Sequence, residues 1–93
     1  MNVFDLGSKA CLRKLLPHEA RLLADHYLRL DSESRRLRFA HSVTDDFVIA
    51  HAMRCGEAGS IVYAILMDGA VHAAAELKRV DGALGTTAEA AFS

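Results

Sequence analysis

The sequence has no tryptophan, one proline, two cysteines and six aromatic rings in 93 residues. No apolar stretch approaches the ~20 residues that a bilayer-crossing helix needs. Met1-Asn2-Val3-Phe4-Asp5 has neither a basic start nor an apolar run, which argues against a secretory leader. Cys11 and Cys55 lie far apart and form no C-x-x-C, so they read as two buried thiols in a reducing compartment, and the expected location is cytoplasmic. With few large rings, the core must be built from small side chains, alanine above all.

An excess of one charge is also missing. The formal net charge is −1, which argues against a nucleic-acid or acidic-membrane partner recruited by a global field. The charge is nevertheless uneven. From Lys9 to Arg38 there are eight basic and four acidic residues, and from Phe39 to Ser93 three basic and seven acidic, so the two halves can attract each other. Arg35, Arg36 and Arg38 form a basic cluster that reads more plainly as a solvated helix face with one ion pair than as a phosphate or nucleic-acid contact.

Catalytic signatures are equally scarce. There is no G-x-S-x-G, no P-loop, and no H-x-x-x-H or H-E-x-x-H among His18, His26, His41, His51 and His72, so no metal site is expected. His51, on an apolar helical face, reads as a hydrogen-bonded core or boundary residue.

What is present is a fold-class pattern. Met1 to Ser8 carries no periodic signal. Ala10–Leu16 reads as a strand. Pro17 opens a helix whose apolar face is Ala20, Leu23, Tyr27 and Leu30, with Arg21, Asp25 and Arg29 at four-residue steps on another face. Asp31 caps a second helix carrying Arg35 to Phe39. Thr44 caps a third with the stripe Phe47, Val48, His51, Ala52 and Cys55, and Gly56 is a natural stop.

Ser60–Met67 is a near-continuous apolar run, read as a strand buried on both faces. Asp68-Gly69 is a strong hairpin signal. The returning strand alternates Val71, Ala73, Ala75 and Leu77 against His72, Ala74, Glu76 and Lys78. Asp81–Gly85 reads as a loop and Thr86–Ser93 as a last strand. The order is β-α-α-α-β-β-β in a single α+β unit over residues 1–93 with a mainly antiparallel sheet.

Four segments together resemble GNAT N-acetyltransferases. Leu12-Arg13 with Leu16-Pro17-His18-Glu19-Ala20 is similar to the family's first strand and helix. Leu30-Asp31-Ser32-Glu33-Ser34-Arg35-Arg36-Leu37-Arg38-Phe39 resembles the L-S-P-E-S-R-x-x-R-F segment of GNAT domains related to bacterial protein acetyltransferases, with Asp31-Ser32 in place of Ser-Pro. Asp68 to Leu77 resembles the hairpin D-G-x-x-x-G-x-A-x-L, with Ala73 where the family often has Gly. Glu89-Ala90-Ala91-Phe92-Ser93 resembles the start of the family's fourth strand.

The resemblance implies a partial GNAT-like domain that stops before the glycine-rich loop holding the acetyl-CoA pyrophosphate. It implies acetyl-CoA as cofactor and a small-molecule or protein-lysine amine as acceptor. It implies Glu89 as a general base, set against the plainer reading of an outward-facing strand carboxylate. It also implies backbone contacts from Phe92 and Ser93 to the pantetheine arm. The alternative reading is a non-catalytic homo-oligomeric binding or assembly module that associates through exposed strand edges.

Overall fold

The computed structural model describes residues 3–5, 9–57, 59–82 and 85–93. The sheet begins with β1 (Val3–Asp5) and β2 (Ala10–Lys14). A 3₁₀ turn (Pro17–Glu19) leads into α1 (Ala20–Arg29), followed by α2 (Ser32–Phe39) and α3 (Asp45–Met53). The chain then returns to the sheet as β3 (Ser60–Met67), β4 (Ala70–Gly82) and β5 (Gly85–Phe92). The five strands lie in sequence order, and every neighbouring pair is antiparallel. The α+β class expected from the sequence is the one observed. No helix is long and apolar enough to cross a membrane among the described residues.

Local chemistry sets the element ends. The Asp31 carboxylate accepts from the Ser34 amide at 2.7 Å, and the Thr44 hydroxyl accepts from the Phe47 amide at 3.1 Å, so both expected caps are in place. Asp68 and Gly69 hold φ of 52° and 77°, the two positive values that a type I′ hairpin requires. Gly56 serves a different purpose from the helix stop expected of it. A Cβ at this position would lie 2.6 Å from Pro17 Cγ, so glycine is needed for the close approach of the Pro17 ring.

At the start of α1, Arg13 donates twice to Glu19, at 2.7 and 2.6 Å, and Glu19 also accepts from the Leu16 amide at 3.0 Å. The Arg13 bonds, chiefly, lower the Glu19 carboxyl to about 2. A depressed carboxyl stabilises the fold above its unfolded pKa and loses that contribution as pH falls through its folded value. Thermal stability should therefore fall between roughly pH 5 and pH 2. Glu19→Gln should lower stability at neutral pH by about 2–3 kcal/mol and flatten that acid limb, as read from melting temperature against pH.

The core lies on one face of the sheet. Leu23, Ala24 and Tyr27 of α1 and Val48 and Ala52 of α3 are fully buried, over Val62, Ala64 and Leu66 of β3 and Val71 and Ala74 of β4. Three differences from the sequence reading stand out. A first strand exists at Val3–Asp5, where the pattern is silent, because pairing with β2 rather than periodicity defines it. The Asp81–Gly85 loop shrinks, since β4 runs to Gly82 and pairs there with Gly85 of β5.

The third difference is that β3 is covered on one face only. Val62, Ala64 and Leu66 are buried while Tyr63 and Ile65 are half-exposed, because all three helices pack on the same side. β4 also departs from strict alternation. Leu66 pairs with Val71 but Ile65 pairs with Ala73, so His72 is an extra residue in a bulge. Beyond it, Ala74, Glu76 and Lys78 join Val71 on the helix side. Arg29 Nη2 donates to the Val71 carbonyl at 2.6 Å beside the bulge.

Candidate functional site

Lys78 of β4 stands opposite Glu89 of β5, and Glu76 stands opposite Ala91. The register therefore places Glu89 on the helix side of the sheet, together with Glu76 and Lys78. Behind them are Arg38, at the last turn of α2, and His51 of α3. These five residues line a cleft of about 240 Å³. His51, Glu76 and Lys78 also line a second cleft of about 130 Å³ that reaches Arg54 and Glu57, so the two adjoin along β4.

The back of the cleft is an ion pair between Arg38 and Glu76, whose side chains are only 8% and 16% exposed. The Arg38 guanidinium lies over the Phe39 ring at 4.5 Å and the Tyr27 ring at 5.6 Å. Its Nη2 is 3.4 Å from the Tyr27 hydroxyl, while its Nε is buried with no partner. Arg38 is therefore not part of a solvated helix face, as the basic cluster suggested. Arg35 pairs with Asp45 at 2.8 Å, and Arg36 alone of the three arginines is exposed with no ion pair to a described residue.

His51 Nε2 lies 2.8 Å from Glu76 Oε2 and 3.3 Å from Arg38 Nη2. One nitrogen cannot donate to the carboxylate and accept from the guanidinium together, and the shorter contact assigns Nε2–H to Glu76. Burial, then Arg38, Arg54 and Lys78, push the His51 pKa down. His51 is a hydrogen-bonded boundary residue, as the sequence pattern suggests. Burial pushes the Tyr27 hydroxyl up to about 12.

The far end of β5 is tied down differently. Ser93 exchanges both backbone bonds with Ala74, at 2.9 and 3.0 Å, and its hydroxyl lies 3.0 Å from Nε2 of the buried His26. Burial, followed by Arg29, lowers the His26 pKa. In an antiparallel ladder the bonding direction alternates. Thr87, Glu89, Ala91 and Ser93 therefore turn their backbone groups towards β4, and Ala88, Ala90 and Phe92 turn theirs to the outer edge. Among the described residues no strand pairs with the Phe92 backbone on that edge, whereas the Ser93 backbone is occupied by Ala74. The Phe92 side chain is 71% exposed, on the opposite face from Glu89.

Neither a protein-family model nor a curated protein matches the sequence. Among solved structures, the crystal structure of the GNAT domain of S. lividans PAT is similar, with 25% identity and a TM-score of 0.65. The match covers 89% of this chain and 52% of that one, so the chain spans about half the length of its structural neighbour. The fold is GNAT-like. The residues missed from sequence are Arg38, His51 and Glu76 as one unit. The opposite charges of the two halves were a signal for them, but that signal names no pairs.

Proposed function

We propose that the chain forms the acceptor-side part of an acetyl-CoA-dependent N-acetyltransferase site, with Glu89 as general base. The observation that carries this reading is the placement of Glu89 on the open cleft of a GNAT-like sheet. Phe92 supports it, because its outward-facing backbone N–H and C=O suit the amides of an extended pantetheine arm. The 93 residues contain no R/Q-x-x-G-x-G/A loop for the pyrophosphate. Acetyl-CoA, when bound, supplies the acetyl group as a thioester. Glu89 takes a proton from the acceptor ammonium and leaves a neutral amine. Arg38 already neutralises Glu76 and so leaves Glu89 as the free carboxylate of this 240 Å³ cleft.

Thermal-shift titration with acetyl-CoA, beside CoA, tests the reading. A rise of about 10–20 °C is expected at roughly a hundredfold excess over Kd. No rise at millimolar ligand would count against it.

A second reading is favoured by the other face of the sheet. There Leu12, Tyr63, Ile65 and Phe92 line an apolar hollow of about 380 Å³. Such a face suits a self-associating module. Light scattering showing a monomer at micromolar concentration would sink that alternative.

A further inference from the structure

The cleft holds two free charges of opposite sign at one level of the ladder. Lys78 and Glu89 are exposed register partners, and neither forms an ion pair with a described residue. Their backbones form a hydrogen-bonded pair, which sets the two Cα atoms about 5.5 Å apart, so the side chains rise from the same rung. Everything behind them is spent: Arg38 on Glu76, and His51 on the same carboxylate. A ligand entering the cleft therefore meets one ammonium and one carboxylate.

We infer that the cleft selects an acceptor carrying a carboxylate next to its amine, a free α-amino acid, with its amine at Glu89 and its carboxylate at Lys78. This deepens, and rests on, the acyl-transfer reading above.

The 240 Å³ cleft leaves room for a small ligand between the two side chains. The adjoining cleft beside Lys78 carries Arg54 and Glu57, whose opposite charges offset each other, so the carboxylate is assigned to Lys78 alone. A simple amine gains only Glu89 and sets its own positive charge beside Lys78, so Lys78 both attracts the amino acid and disfavours the plain amine.

Titration of the ¹⁵N-labelled chain with L-alanine, ethylamine and propionate tests the assignment. L-Alanine should shift the amides of Lys78 and Glu89 and bind at least about tenfold more tightly than either single-charge probe, as a charge-assisted bond to each end requires. Lys78→Gln, an exposed substitution that should leave the dispersed spectrum intact, should bring L-alanine down to the level of ethylamine. Equal affinity for L-alanine and ethylamine, absence of L-alanine shifts in the cleft, or an unchanged preference in Lys78→Gln would each overturn the inference. The acetyl-CoA titration separates the two ideas. Acetyl-CoA binding without L-alanine binding defeats the amino-acid assignment alone. L-Alanine binding without acetyl-CoA binding defeats the acyl-transfer reading instead.

Discussion

Glu76→Ala should cost about 3–5 kcal/mol of folding stability, measured by urea denaturation. The substitution leaves the Arg38 guanidinium buried, at 8% exposure, with its charge unanswered and its Nε already without a partner. His51 loses its acceptor in the same step. A chain of this length has a total stability of about 5–14 kcal/mol, so the variant should be largely unfolded at 37 °C if the wild type lies near the lower bound. The size of the loss reflects a buried charge left unpaired rather than the net worth of the pair. Replacing both partners by apolar groups, Arg38→Met with Glu76→Leu, should recover most of it. A loss below about 1 kcal/mol for Glu76→Ala would show that the pair is solvated, in the manner of a surface bridge.

The same pair marks where the sequence stops being legible. Elements whose cause is local can be read directly: the caps at Asp31 and Thr44, the positive-φ hairpin at Asp68-Gly69, and the Arg21–Asp25 step, which forms a 3.0 Å bond. Elements whose cause lies in pairing cannot. β1 exists through its register with β2, and the bulge at His72 is a mismatch between two strands rather than a property of either. That bulge decides the site. Strict alternation puts Val71 on the face opposite Glu76 and Lys78, whereas the extra residue puts all three beneath the helices. Burial of Arg38 follows, because Glu76 then rises towards α2. Glu89 is legible as a candidate by resemblance. Its rung partner Lys78 is set by the register with β4, which the hairpin geometry alone leaves open.

Tyr27→Ala should be about as damaging, at about 3–5 kcal/mol. The side chain is fully buried, and its ring meets Phe39 edge-on at 5.2 Å and His51 at 6.0 Å. With no tryptophan and few rings elsewhere, little is available to refill the space between α1, α2 and α3. Tyr27→Phe separates packing from polarity: it keeps the ring and removes only the acceptor 3.4 Å from Arg38, for a cost of about 1 kcal/mol. The two large losses should not add. Tyr27 and Glu76 are joined through Arg38, so once Glu76 is gone the guanidinium can move towards solvent and its contact with the Tyr27 ring is already lost. The double variant should therefore fall short of the sum by about 0.5–3 kcal/mol. Strict additivity in the urea series would mean that Arg38 stays in place without its carboxylate and that the neighbouring Phe39 ring, not Glu76, holds it at the back of the cleft.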